Sequence, residues 1–282
     1  MEASRVIISC TTTAQRLGML FYAIESIKKQ KVLPSRIQVN ISKEPYLRDA
    51  GIQEVPDWLN HELVDVKWVD NTGPFRKLLP TINGSTDNDQ IVTIDDDILY
   101  HPEWLGSLLK SASEHSGCIV CARGRYMKQS LLGGWQNYSH WCLSTSASLV
   151  MKMLPTGAGG VVYRRPLLDL DFLNDPKFLE ISPTTDDLWF RMASLRKSVP
   201  VYVDPEIDVK NIYLIHHEGL GKINFPGRKG SLLNKIYQRT IGYCRDTLGI
   251  DYYENDRAWT RVCEYSKNWE APNSVRSQVT NA

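Results

Sequence analysis

Short apolar runs of strand length alternate along this chain with longer segments whose apolar residues recur every three or four positions. That alternation limits the fold more than any other feature. Arg5–Ser9 (RVIIS) reads as a first strand. Leu17, Leu20, Phe21, Ile24 and Ile27 follow at helical spacing, with Thr12 and Gln15 in a capping-box pattern ahead of them. Arg36–Ser42, Leu63–Val69 and Gln90–Ile94 read as the second, third and fourth strands. Pro102 marks a helix start, and Trp104, Leu105, Leu108, Leu109 and Ala112 form the buried stripe of that helix. Cys118–Arg123 is a further strand. The succession predicts an α/β domain over residues 1–217, a mostly parallel sheet with helices on both faces.

Residues 124–160 are rich in Gly, Ser and aromatics and lack a long period, which predicts a functional loop region. Thr185 is placed to cap a helix carrying Leu188, Trp189, Met192 and Leu195. Val199–Val203 and Asn211–Ile215 read as strands. Residues 218–282 are expected to be a C-terminal loop, helix and tail packed on the same domain. In that reading Ser231 caps a long helix running to about Leu248, and the polar stretch SKNWEAPNSVRSQVTNA frays.

A chain of 282 residues, 42% hydrophobic and 23% charged, can bury a large core without disulfides or structural metal. Lys plus Arg (33) nearly cancels Asp plus Glu (32). The net charge of +1 argues against a general nucleic-acid binder, which needs surplus basic groups to displace counterions. No apolar run approaches the ~18–20 residues that span a bilayer, and MEASRVIISC lacks a signal-peptide pattern. The expected location is the cytoplasm, in solution or at the inner face of the membrane. Cys118 and Cys121 form the one CxxC; on a strand they face opposite sides, so no shared metal or redox site is expected.

The chemistry concentrates where the fourth strand ends. Gln90–Tyr100 reads QIVTIDDDILY, an apolar strand running straight into Asp95, Asp96 and Asp97. In open α/β sheets ligands bind beyond the carboxyl ends of the strands. Three adjacent carboxylates repel one another, and a hard divalent cation such as Mg²⁺ or Mn²⁺ relieves that repulsion while also taking phosphate oxygens. Strand alternation puts Asp95 and Asp97 on one side and Asp96 on the other. The plain alternative is a solvated acidic turn. A second acidic pair, Asp186-Asp187 in TTDDLW, falls in the first turn of a predicted helix, where the helix dipole alone favours it.

VTIDDDILYHPEWL resembles the D-x-D region of GT-A fold glycosyltransferases, which use nucleotide-sugar donors. The first strand, its threonine-rich turn and the long first helix are similar to the start of that fold. LPTGAGGVVYRR and TTDDLWFRMAS extend the likeness in family order, so that it covers roughly residues 4–217. It is nearest to bacterial-type polysaccharide and capsule glycosyltransferases (family 2-like), with an N-acetylglucosaminyltransferase of the heparosan-capsule type as one relative.

That resemblance implies a metal-dependent enzyme moving a sugar from a nucleotide diphosphate donor to a glycan or lipid-linked acceptor in polysaccharide biosynthesis. The donor would be a UDP-sugar, with UDP-GlcNAc among the candidates. Asp97 would coordinate Mn²⁺ or Mg²⁺, and Asp95 would approach the metal or the ribose. Asp96 joins the donor site with the least defined role. His217, rather than His216, would add a late metal or diphosphate contact. In an inverting enzyme Asp187 would be the general base toward the acceptor hydroxyl, in a retaining one it would steady the developing oxocarbenium ion, and Asp186 would orient the acceptor. Thr11 and Arg16 would meet the base or ribose, and Arg76 and Lys77 the base or phosphates. Gly159 and Gly160 would form a donor-sugar wall of backbone amides. Lys222, Arg228 and Lys229 sit in a glycine-rich loop that could close over the diphosphate. Trp135 and Trp141 would give the acceptor sugar an indole face. A peripheral membrane or polysaccharide-assembly complex is compatible with such an acceptor.

Three other functions compete. A haloacid-dehalogenase-type phosphohydrolase carries its D-x-D on the first strand with a Thr soon after; here the motif is on the fourth, followed by Ile-Leu-Tyr. A sugar nucleotidyltransferase needs a glycine-rich basic signature after the first strand, where this chain has CTTTAQRL. A non-catalytic carbohydrate-binding protein on the same fold is the third.

Overall fold

The computed structural model describes residues 4–129, 134–214 and 254–270. Its strands are β1 (Val6–Thr11), β2 (Arg36–Ile41), β3 (Val64–Trp68), β4 (Gln90–Thr93), β5 (Ile98–Leu99), β6 (Ile119–Cys121), β7 (Gly124–Tyr126), β8 (Ser148–Val150), β9 (Met153–Pro155), β10 (Val161–Tyr163), β11 (Val201–Val203) and β12 (Ile212–Tyr213). Its helices are α1 (Leu17–Lys28), α2 (Leu79–Asn83), α3 (Trp104–Glu114), α4 (Leu170–Leu173), α5 (Phe178–Ile181), α6 (Asp186–Arg196) and α7 (Glu254–Asn268).

Eight strands form one sheet in the order β3-β2-β1-β4-β10-β6-β11-β8. β3, β2, β1 and β4 run parallel, as do β6 and β11; β10 lies antiparallel between β4 and β6, and β8 is antiparallel at the edge. The architecture is the α/β fold expected: a mostly parallel central sheet flanked by helices. Side-chain alternation explains why both faces are covered. Ile7, Ile91, Ile119, Cys121, Val161, Val201 and Val203 point into one core with α2, α4, α5, α6 and α7. Ile8, Cys10, Val92, Val120 and Val162 point into the other with α1 and α3. Strands apolar at every position in this way must be buried on both sides.

The topology also fixes where a ligand can sit. The chain leaves β1 toward β2 on one side and returns from β3 to β4 on the other, so the connections diverge between β1 and β4. A crevice opens beyond the carboxyl ends of two such strands. Parallel pairing of β1 with β4, extended by the Ile94 amide donating to the Ser9 carbonyl at 3.0 Å, brings Thr11–Thr13 beside Asp95–Asp97.

Some local expectations change. The capping box at Thr12 does not form: a 3-10 turn, Ala14–Arg16, precedes α1, and the Thr12 hydroxyl donates to Asp96 at 2.5 Å. Thr185 occupies the N-cap position of α6, but its hydroxyl pairs with that of Ser182. Trp68 is 43% exposed on the edge strand β3. Part of the tail expected to fray is instead the end of α7, whose Ala258, Trp259 and Val262 enter the core while Trp269 donates to Asp175 at 2.7 Å. The helix expected from Ser231 lies outside the described residues. Among the described residues no helix is long and apolar enough to cross a membrane. Cys121 is a buried free thiol and Cys118 a half-buried one.

Candidate functional site

A cavity of about 720 Å³ opens at the divergence point. Its walls come from the turn after β1 (Thr11–Thr13, Arg16), the loop after β2 (Tyr46–Asp49), the turn after β3 (Gly73–Lys77), the aspartates after β4, and the first turn of α6. Arg125, Tyr138, Ser139 and Leu154, together with Asn255 of α7, close the far end. Asp95–Asp97 and Asp186-Asp187, about ninety positions apart in the chain, thus line one chamber.

The three aspartates are not equivalent. Asp96 is buried, accepts the Thr12 hydroxyl and pairs with the Arg16 guanidinium. Burial pushes its carboxyl up to about 7, with Arg16 and Thr12 pulling the other way. It braces the turn after β1 while also lining the cavity. Asp95 and Asp97 keep 30% and 22% of their side chains exposed to the cavity.

Two cations expected to reach the nucleotide line the cavity and also pair with carboxylates. Arg16 lies on Asp96 and, at 2.9 Å, on Asp97. Arg76 is buried: one of its nitrogens donates to Asp49 at 2.8 Å and to the Thr12 carbonyl, and another to the Gly73 carbonyl. Asp49 also accepts from the amides of Ala14 and Gly51, so this pair ties the loop after β2 to the turns after β1 and β3. One Arg76 nitrogen, Nη1, is buried with no partner.

Lys77 lines the cavity between the two acidic groups. Its ammonium lies 2.9 Å from Asp186 and 3.5 Å from both Asp95 and Asp187. Burial alone would lower it, but Asp186, Asp187 and Asp95 outweigh burial and hold it well above its ordinary value. The backbone under it is fixed by a buried polar network. Asn40 donates to the Arg76 carbonyl at 2.8 Å and to Thr81, Ser9 donates to the Lys77 carbonyl at 2.6 Å, and Gln38 donates to Asn40. A fully satisfied buried network of this kind allows one arrangement.

Asp187 begins α6 beside its neighbour and keeps 26% of its side chain exposed. The Gly157 amide donates to it at 3.2 Å. Burial raises its carboxyl to about 6; Lys77 opposes the rise, and Asp186 and Asp95 add to it. A carboxylate poised there is ionised at neutral pH yet basic enough to take a proton.

Gly159 and Gly160 do not line the cavity. Gly160 has φ +93°, and a β-carbon on it would come within 2.3 Å of the Trp104 ring, while one on Gly159 would meet Arg123. Trp104 holds this segment by donating to the Gly159 carbonyl at 2.8 Å. The glycine at the site is Gly157: its β-carbon position lies 2.5 Å from the Lys77 nitrogen and 3.1 Å from Asp95. Trp141 is 1% exposed and stacks edge-on with Trp135 and Trp259, its indole nitrogen donating to the Gln136 carbonyl. That loop presents Tyr138 to the cavity beside Arg125 of β7, the guanidinium 4.9 Å from the Tyr138 ring. His216, His217, Lys222, Arg228 and Lys229 lie outside the described residues. Thr11 lines the cavity, its hydroxyl donating to the Asn40 carbonyl.

Asp95, Asp186 and Asp187 share a single ammonium, an excess of negative charge that suits a further cation. The exposed carboxylate oxygens of Asp95 and Asp97 are hard donors of the type Mg²⁺ and Mn²⁺ take. Among the described residues no three His, Cys, Asp or Glu side chains form a ready cage. An ion there would take its remaining ligands from phosphate and water.

No family model matches the sequence, and no curated protein matches it. Among solved structures, the chain is similar to residues 1–349 of S. aureus TarS, with 14% identity and a TM-score of 0.48 over 98% of this chain and 76% of that one. The same TarS segment in complex with UDP gives 14% identity and a TM-score of 0.49 over the same shares.

Proposed function

We propose that this chain is a glycosyltransferase of the GT-A type, moving a sugar from a nucleotide diphosphate donor to the hydroxyl of an acceptor. The observation that carries the reading is the meeting, in one cavity, of two half-buried carboxylates at the end of β4 with a carboxylate at the start of α6 that burial has raised to about 6. The first pair suits a diphosphate with its cation; the second suits a base.

In this reading the donor lies along the turns after β1 and β3, where Thr11 and Arg76 line the cavity. Asp95 and Asp97 are the side chains placed to hold Mg²⁺ or Mn²⁺, and such an ion, when bound, offsets the charge that builds on the leaving diphosphate. Asp187 takes the acceptor hydroxyl proton as the oxygen bonds to the anomeric carbon and the carbon–diphosphate bond breaks. The acceptor enters from the end lined by Tyr138, Arg125 and Asn255. A UDP-sugar is the expected donor and a glycan or lipid-linked sugar the expected acceptor.

A screen of UDP-, GDP- and CMP-sugars with Mn²⁺, read as donor hydrolysis and as transfer to a glycan panel, tests the proposal. Turnover of one donor class supports it. Binding of a nucleotide-sugar with no product under any condition would point to a carbohydrate-binding protein instead.

A further inference from the structure

We propose that Lys77 is a positioning residue that ties the donor-side carboxylate Asp95 to the first turn of α6, and that it does not touch the donor. The inference rests on the glycosyltransferase reading for its kinetic consequence and on geometry for the tie itself. The ammonium is 2.9 Å from Asp186 and 3.5 Å from Asp95 and Asp187, so one side chain joins groups from β4 and α6. All three contacts are ion pairs, and the one to Asp95 also has hydrogen-bond geometry.

Its place is enforced from two sides. Beneath it, Asn40 holds the Arg76 carbonyl and Ser9 the Lys77 carbonyl, and the Thr81 hydroxyl bonds to both side chains. Above it, Gly157 leaves room that no other residue leaves, since a β-carbon would fall 2.5 Å from the lysine nitrogen. Gly157 has no left-handed φ of its own, so room for Lys77 is what its missing side chain supplies. The same residue donates its amide to Asp187, so one glycine both seats the ammonium and orients the carboxylate that faces the acceptor.

Lys77 thus acts through Asp186 and Asp187. It cancels part of the repulsion among three carboxylates and fixes the start of α6 against the end of β4. Displacing a reacting group by about 1 Å costs on the order of 100-fold in rate.

Four variants test this, with Asp186→Asn alone as the reference for the double variant. Gly157→Ala pushes the ammonium aside without changing any charge. Lys77→Met removes the cation. Lys77→Met combined with Asp186→Asn removes the cation with its nearest anion and keeps the net charge. UDP affinity is measured by calorimetry, transfer by kcat and KM, and folding by thermal melts. The tie predicts that Gly157→Ala and the double variant stay folded, bind UDP within about threefold of the parent, and lose kcat by about 100-fold. Two results overturn it: a folded Gly157→Ala or double variant with parental kcat, or a tenfold loss of UDP affinity at unchanged kcat, which would make Lys77 a phosphate ligand. If the parent protein turns over no nucleotide-sugar, the functional reading fails by itself. The tie is then read from stability alone, where melting-temperature losses of Lys77→Met and Asp186→Asn that simply add in the double variant overturn it.

Discussion

Replacing Asp187 with Asn removes a proton acceptor and changes little else in shape. The Asn carbonyl oxygen can still accept the Gly157 amide, which now sits at 3.2 Å from the carboxylate. With the carboxyl raised to about 6, roughly nine-tenths of the molecules carry the ionised base at pH 7. The proposed chemistry needs that form, so kcat/KM of the parent should rise about tenfold per pH unit below 6 and level off above it. Losing a general base costs roughly 10²- to 10⁴-fold, and the Asn variant should lose that amount in kcat while its UDP affinity holds.

Stability supplies a second readout with a definite sign. The folded carboxyl titrates above its ordinary value of 3.8, so folding disfavours the charged form. The cost is absent below pH 4, grows between 4 and 6, and is complete above 6. A rise of about two units corresponds to on the order of 3 kcal/mol. The Asn variant carries no such cost, so its melting temperature should gain on the parent as pH rises from 4 to 7. An Asn variant with parental kcat, or a parent whose rate is flat from pH 5 to 7, refutes the assignment of Asp187 as the base.

Other consequences follow from the same geometry. Asp97→Ala should abolish turnover with an unchanged melting curve, and EDTA should do the same to the parent; full activity in EDTA would remove the cation from the account. Trp141→Ala empties a 1%-exposed site and should cost about 3–5 kcal/mol in denaturant unfolding, whereas a selective rise in acceptor KM at unchanged stability would restore Trp141 as a sugar platform. Gly160→Ala forces a side chain into a left-handed φ and against Trp104, and should cost at least about 2 kcal/mol; an unchanged melting temperature would contradict the close approach.

The elements that set the cavity were legible because their signals are local. Apolar strands with both faces buried, the helical stripes of α1 and α3, and acidic groups at a strand end and a helix start all show as period and position. What stayed hidden depends on contacts across the chain. Thr12 and Gln15 obey a local capping rule, yet the hydroxyl goes to Asp96, 84 positions away, because a buried carboxylate needs a donor more than a surface helix needs a cap. Arg16 and Lys77 read as free cations, since nothing nearby in sequence shows that five carboxylates converge on them. Tryptophan composition does not tell a sugar platform from a core, and Trp141 turned inward with Trp135 and Trp259. The helix α7 had a signal in the spacing of Ala258, Trp259, Val262 and Cys263, overshadowed by the polar tail after it. Among the glycines of PTGAGG, only a side-chain clash test separates Gly157 at the site from Gly160 under Trp104.

Crystals of the protein grown with a UDP-sugar and Mn²⁺ test the central claim most directly. The account predicts nucleotide density between Thr11 and Arg76, with manganese bound by Asp95 and Asp97 against the diphosphate, and the sugar directed at Asp187. Manganese absent from those two carboxylates, with the nucleotide bound outside this cavity, would contradict it.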